Sequence, residues 1–359
     1  MKRFFALLCL LSLVLCAPAR AVELDLNAPS AILMEKATGT VLYAKDEHTP
    51  REPASVTKIM TILLTMEAID SGLLSYDDVV TGSAHASSMG GSQIWLREGE
   101  QMTVRDLLKA VCVVSGNDAA VALGEQLGMS DTHFVNATGL PAAGHVTSAH
   151  DIALMSRELI LRHPDVRQFT TIWMDSLRDG ESMLVNTNKL IRFYDGATGL
   201  KTGSTDAAGY CLSATAERGG MELIAVVMKG RTSDERFADA RAMLDYGFAT
   251  YTLATVTPDA ALAPLRVVLG ERNAVQPMLT PDNVLLLEKS AALALQKEVV
   301  LPDAVPAPVE RGERLGELRV TDGSGGTVAV LPILAGESVA RVTWGQMFRR
   351  LVKAAFCGG

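Results

Sequence analysis

Cysteine is scarce in this chain, and basic residues are outnumbered. Five cysteines are present. Cys9 and Cys16 belong to the amino-terminal run, and the other three, Cys112, Cys211 and Cys357, are too scattered and odd in number for a disulfide framework. Cys112 and Cys211 sit in apolar runs and read as buried thiols. With 33 basic against 41 acidic residues the formal net charge is −8. No basic stripe or aromatic-basic alternation appears, which excludes nucleic acid as a partner. The six histidines (His48, His85, His133, His145, His150 and His163) form no H-E-x-x-H and no close pair, so no metal site is expected. G-x-S-x-G, P-loop and dinucleotide fingerprints are missing too, and no cofactor is expected. There is no internal repeat, no low-complexity tract, and no membrane-spanning run beyond the first residues.

The amino terminus is distinctive. Lys2 and Arg3 precede an apolar run from Phe4 to Leu15, followed by Ala19-Arg20-Ala21. That order predicts a secretory signal over residues 1–21, cleaved after Ala21. Cys16 follows Leu15, where a lipoprotein signal wants a small residue, so lipidation is not expected. The protein is expected to cross the cytoplasmic membrane and remain in the cell envelope.

A chain of 359 residues can build two domains with hydrophobic cores. Residues 30–35 and 39–44 read as strands joined by a turn at Lys36 to Thr38. Ile59, Met60, Leu63, Leu64 and Met66 recur at helical spacing, so Pro53-Ala54-Ser55 opens a helix. Ser83 to Gly99 is loop-like. A second helix runs from Val104 to Val114, breaks at Ser115-Gly116-Asn117, and a third resumes at Ala119. Residues 221–227 form a strand, and a helix from Arg236 to Tyr246 closes a first domain over 22–255. From Leu265, short β-rich runs predict a small all-β sandwich over 262–340. Over 342–357, Trp344, Met347, Phe348, Leu351, Val352, Ala355 and Phe356 fall on one side of a helix, with Gln346, Arg349, Arg350 and Lys353 opposite. That pattern suits a helix lying in a membrane surface. The competing arrangement docks its apolar face on the β domain.

Three motifs carry chemistry, in order: Ser55-Val56-Thr57-Lys58, Ser115-Gly116-Asn117 and Lys201-Thr202-Gly203. Chance gives an S-x-x-K or S-x-N about once in such a chain and a K-T-G in about one chain in ten, so the ordered set is informative. A serine hydroxyl needs a base to take its proton, and Lys58, one turn from Ser55, reaches it. Lys58 is a base only when neutral, which burial or a second cation such as Lys201 would enforce. A serine at a helix start also aims backbone N–H groups at a developing oxyanion. The break at Ser115-Gly116-Asn117 pushes polar side chains into a cleft, for proton relay and substrate binding. Gly199 to Thr205 reads as a strand whose small residues let substrate backbone lie alongside, with Lys201 and Thr202 holding a carboxylate. Taken singly, each motif has a plain structural alternative: an N-cap, a capping turn, an edge strand. Together they read as an active-site serine enzyme attacking acyl-D-alanyl bonds or β-lactams.

The chain resembles the low-molecular-mass penicillin-binding D-alanyl-D-alanine carboxypeptidases, the serine peptidases of S11 type. The resemblance covers nearly the whole mature chain. It includes Pro53 to Thr61, Ser115 to Ala120, Asn136-Ala137-Thr138-Gly139-Leu140 and Lys229-Gly230-Arg231-Thr232. It implies a mixed α/β (α+β) fold: a β-lactamase/penicillin-binding transpeptidase-like domain, an antiparallel sheet flanked by helices, then the β-sandwich. It implies that Ser55 attacks the penultimate D-alanine of a peptidoglycan stem peptide, that Lys58 takes its proton, and that Ser115 passes one to the leaving D-alanine. Asn117 would hold the acyl chain, and Lys201, Thr202 and Gly203, with Arg231, the terminal carboxylate. Backbone N–H groups of Ser55 and Ser204 would form the oxyanion hole. β-Lactam antibiotics would trap the same serine, and the last helix would anchor the protein on the outer face of the cytoplasmic membrane. One departure is visible. Gln126 runs directly into Leu127, where family members usually carry a further loop and helical segment, whose loss removes packing behind the Ser115 helix. Two other readings share the motifs. A class A-like β-lactamase needs a deacylating Glu before the K-T-G strand, and none is evident. A catalytically impaired cell-wall-binding homologue would keep the scaffold only.

Overall fold

The run from Met221 to Met228 is buried along its whole length, and only a strand covered on both faces buries consecutive residues in this way. The computed structural model describes residues 24–126, 135–281 and 283–357. The expected leader and the stretch that follows Gln126 lie outside them. The chain divides into two compact units, residues 1–247 and 248–359.

The first unit is built on five antiparallel strands: β1 (Ser30–Glu35), β2 (Val41–Lys45), β3 (Ala197–Thr205), β4 (Gly209–Arg218) and β5 (Met221–Gly230). Their order is β2-β1-β5-β4-β3, which leaves β3 on an edge. The turn expected between the first two strands is held by Glu35, whose carboxylate accepts from Ala37 N and Thr38 N. Side chains alternate across the sheet. Ile32, Met34, Ile224, Val226 and Met228 face one core. That core is shared with α1 (Lys58–Asp70), α2 (Val104–Val113), α3 (Asn117–Gln126) and α4 (Ala149–Arg162). On the other face, α5 (Ser233–Thr250) approaches Leu33 and Leu223 so closely that a Cβ at Gly247 would lie 2.5 Å from Leu223 Cδ1. Truncating a side chain such as Ile224 to alanine would cost about 2–5 kcal/mol.

In the second unit, four antiparallel strands run in the order Pro277–Leu279, Thr327–Ala335, Arg314–Thr321 and Gln296–Val300. A second group pairs Leu265–Val268 with Ala274–Val275 and, in parallel, with Ala304–Pro306. Two small cores result, around Val267 and Val309 and around Leu318 and Ile333. The boundary differs from the sequence reading. Tyr251–Thr255, expected in the first domain, pairs with Val284–Glu288. Tyr251 to Ala254 are half-buried and Thr255 is exposed, with no clean alternation of polar and apolar residues, so composition alone does not assign the segment.

The terminal helix α6 (Trp344–Cys357) is tied to the second unit by its polar side. Gln346 Nε2 donates to Glu271 Oε1 at 2.8 Å, and the Arg350 guanidinium donates to the carbonyls of Gly270 and Glu271. Trp344 is 92% exposed, and Phe348 and Leu351 also stand in solvent. The helix is not docked by its apolar face.

Candidate active site

Ser55 lies on a tight 3₁₀ turn, Ala54–Thr57, that feeds directly into α1. The turn is entered through Ala54 at φ +49°, and Gly139 packs onto it: a Cβ there would come within 1.8 Å of Ala54 O. Only glycine, itself at φ +81°, fits that contact. Thr57 is fixed from the side, its Oγ1 lying 2.9 Å from His145 Nε2.

Three residues on, Lys58 is fully buried and its amine meets three oxygens: Ser55 Oγ at 2.9 Å, Asn117 Oδ1 at 2.6 Å and Thr138 O at 2.8 Å. Burial first, and the Lys201 charge second, hold its pKa well below the ordinary lysine value, against the opposing pull of Asp118. A neutral amine has two N–H bonds and one lone pair. Asn117 and Thr138 offer only acceptors: the Asn117 oxygen faces Lys58 because its Nδ2 donates to Gly90 O. The two N–H bonds are therefore spoken for, and the lone pair is left for the Ser55 hydroxyl. That is the geometry of a general base.

The Asn136–Leu140 motif explains the Thr138 carbonyl. Asn136 Oδ1 accepts from Thr138 N, Thr138 Oγ1 and Gly139 N, folding a tight turn that turns Thr138 O toward Lys58. The motif is legible in sequence; its hold on Lys58 is not.

At the second motif, α2 ends and Ser115 takes φ +63° before α3 begins at Asn117. Ser115 is buried and its Oγ has no hydrogen-bond partner among the described residues. Asp118, also buried, accepts from the backbone N–H groups of Ile94, Leu96 and Ala119. The loop before α2 is thereby fastened to the motif, with Asn117 N donating to Ser92 O at 2.7 Å.

The third motif lies on the edge strand β3. Lys201 is buried, its pKa lowered to about 7 chiefly by burial, with Arg236 contributing and the nearby Cys112 opposing. Its amine donates to Thr202 O at 2.9 Å. Thr202 Oγ1 lies 2.7 Å from Thr187 Oγ1. Gly203 abuts the Ser55 turn, and Ser204 is exposed at the strand's outer end. Serine, base, Asn117 and the K-T-G strand are thus brought together, with Ser115 two residues before Asn117 in the chain. Arg231, the further carboxylate contact that the resemblance implies, has a side chain that is 74% exposed and ion-paired with Glu235 at 3.0 Å.

Arg236, which the sequence reading treats only as the start of a helix, is buried instead. Its NH1 donates to Gly203 O and Cys211 O, at 3.1 and 3.2 Å. Nothing in the spacing of α5 marks this arginine, since a charged residue at a helix start is usually solvated. Lys201 and Arg236 join the neutral Lys58 amine as three buried basic side chains around one strand and one turn, an environment that favours an incoming anion. Cys112 and Cys211 are buried free thiols, as their apolar runs imply.

Known proteins resemble this chain in sequence and in fold. The family model described as D-alanyl-D-alanine carboxypeptidase, of peptidase group S11, matches residues 17–127 and 124–232, and the break falls where Gln126 meets Leu127. The chain is 39% identical over 355 residues to the D-alanyl-D-alanine carboxypeptidase DacF of Bacillus subtilis (strain 168), covering 92% of this chain and 90% of that protein. It superposes on penicillin binding protein 5 of Haemophilus influenzae with a TM-score of 0.76 at 26% identity, covering 89% of this chain and 99% of the other. Penicillin-Binding Protein D2 of Listeria monocytogenes, solved in an ampicillin-bound form, matches with a TM-score of 0.57 at 32% identity, over 63% of this chain and 100% of its own. By sequence and by fold, this chain belongs to the S11 family of D-alanyl-D-alanine carboxypeptidases.

Proposed function

We propose that this protein is a serine-type carboxypeptidase that removes the terminal D-alanine from peptidoglycan stem peptides through an acyl-enzyme on Ser55. The observation that carries the reading is the Lys58 amine, buried and 2.9 Å from Ser55 Oγ, with both its N–H bonds directed elsewhere. Ser55 Oγ attacks the carbonyl of the penultimate D-alanine, and Lys58 takes the hydroxyl proton. The tetrahedral oxyanion is met by backbone N–H groups of Ser55 and Ser204. The C–N bond then breaks, and the departing amine gains a proton through Ser115. Water subsequently attacks the Ser55 ester and releases the shortened stem. Lys201 and Thr202 hold the terminal carboxylate, with Arg236 behind them adding positive potential. Arg231, exposed and paired with Glu235, is free at the surface side to meet the same carboxylate by exchanging that partner.

β-Lactams present a strained cyclic amide carbonyl and a carboxylate in place of the scissile bond and the terminal carboxylate, and acylate the same serine; the ampicillin-bound relative supports this. The leader and α6 support a place on the outer face of the cytoplasmic membrane. The apolar side of α6 is left uncovered while its polar side is tied to the protein, as a helix lying in a lipid surface needs.

A fluorescent penicillin, run on the parent and on Ser55→Ala, tests the serine assignment. Stable labelling of the parent alone supports it, and D-alanine release from a pentapeptide establishes the activity. Labelling retained in the variant would overturn the role of Ser55.

A further inference from the structure

The loop that fastens onto Asn117 carries an aromatic side chain the mechanism does not use. Trp95 is 77% exposed and sits at φ +59°, a left-handed conformation that bulky residues rarely adopt. Its neighbours Ile94 and Leu96 are both buried. The conformation is enforced from two sides. Asp118 accepts from the N–H groups of Ile94 and Leu96, and the Arg178 guanidinium donates to the carbonyls of Ile94 and Trp95, at 2.9 and 3.4 Å. These hydrogen bonds, those to Asp118 buried, thus hold an indole out in water at a strained residue, where neither burial nor backbone preference favours it. Strain held this firmly is characteristic of functional positions.

The loop's place in the fold says what the indole meets. Gly90 and Ser92, from the same loop, receive hydrogen bonds from Asn117, whose amide oxygen contacts the Lys58 amine. A substrate anchored by its carboxylate near Lys201 and by its carbonyl at Ser55 extends its acyl chain past Asn117. The segment beyond the scissile dipeptide then continues along this loop.

We infer that Trp95 is a specificity-determining contact for the apolar C–H surface of the substrate's distal part, which either an aliphatic stem side chain or a sugar ring could supply. The inference rests on the carboxypeptidase reading and deepens it. Flat aromatic rings offer large contact area at little conformational cost.

The test compares three substrates on the full chain: an acylated D-Ala-D-Ala dipeptide, a sugar-free pentapeptide, and the same pentapeptide linked to its amino sugar. Trp95→Asn keeps the left-handed backbone without the ring, and Trp95→Phe keeps a ring. In Trp95→Asn, kcat/KM for the longer substrates relative to the dipeptide should fall about tenfold, mainly through KM, and Trp95→Phe should restore most of it. A loss already present with the free pentapeptide assigns the contact to the stem, and a loss only with the sugar-linked form assigns it to the sugar. An unchanged ratio for both would overturn the inference. If the parent releases no D-alanine from any of the three, the carboxypeptidase reading falls and this contact falls with it.

Discussion

A Cβ placed on Gly203 would lie 2.8 Å from the backbone nitrogen of Ser55 and 2.9 Å from that of Val56. The K-T-G strand and the serine turn are therefore in backbone contact, and the glycine of the motif is fixed by packing, not by a left-handed φ. Gly203→Ala should push the strand from the turn. Overpacking of this kind costs about 1–3 kcal/mol. Because it moves the nucleophile against the carboxylate site, acylation by a penicillin should slow by about 100-fold. Stopped-flow acylation rates beside thermal melts check both. A variant that acylates at the parent rate would show that the contact is not needed for alignment.

Lys201 makes stability depend on pH with a definite sign. Its folded pKa is lowered from 10.5 to about 7, mainly by burial. Between those values the unfolded chain binds more protons than the folded one, so stability rises as pH rises through that window. The penalty is fully present below about pH 7 and fades toward 10.5. By linkage it amounts to roughly 5 kcal/mol. Lys201→Met should therefore melt higher than the parent at pH 6, with the advantage shrinking as pH approaches 10. Melting curves across that range check it, and a pH-independent difference would contradict it.

Much of this was legible from residues alone. The motif pair Ser55 and Lys58, the break at Ser115 and the edge strand carrying Lys201 each leave a local mark, because helix spacing and glycine placement are local properties. Thr187 and Arg236 leave none, and Thr138 and Asp118 are marked only as members of motifs whose hold on the site is not visible. Their parts depend on carbonyls, hydroxyls and amides brought together over long stretches of chain, such as Lys58 with Thr138 O and Arg236 with Gly203 O. Arg231 is exposed and paired with Glu235, a partner four residues on that the motif itself does not announce. The first boundary was misplaced for a similar reason, since the pairing of Tyr251–Thr255 with Val284–Glu288 is not visible in either segment.

Asp118 couples loop stability to the state of the base. It holds three backbone N–H groups and raises the Lys58 pKa by its charge. Asp118→Asn should destabilise the protein by about 2–3 kcal/mol, the scale of losing charge-assisted hydrogen bonds at a buried site. Removing the negative charge also favours neutral Lys58. The acidic limb of the acylation pH profile should therefore move to lower pH, a change that loosening of the loop alone does not produce. An acidic limb shifted to higher pH would reverse the assigned sign.

Removing residues 344–357 takes away the exposed face of Trp344, Phe348 and Leu351. Membrane binding driven by apolar area is lost with that area. The truncated protein should leave the pellet in a vesicle co-sedimentation assay while still reacting with penicillin. Continued sedimentation would place the membrane contact elsewhere.

Ser115 separates stability from activity. Its buried hydroxyl is unpaired among the described residues, and its backbone sits at φ +63°. An unpaired buried hydroxyl costs about 1–3 kcal/mol, so Ser115→Ala should be at least as stable as the parent. Ser115→Gly should gain further, by roughly 1 kcal/mol, because glycine adopts the left-handed region without strain. Both variants lose the proton relay, and D-alanine release should fall by about 100-fold or more. Denaturant unfolding set beside the rate of release checks the pair. A Ser115→Ala protein that is clearly less stable would mean the hydroxyl holds the fold together, and its lack of a partner would no longer point to the reaction.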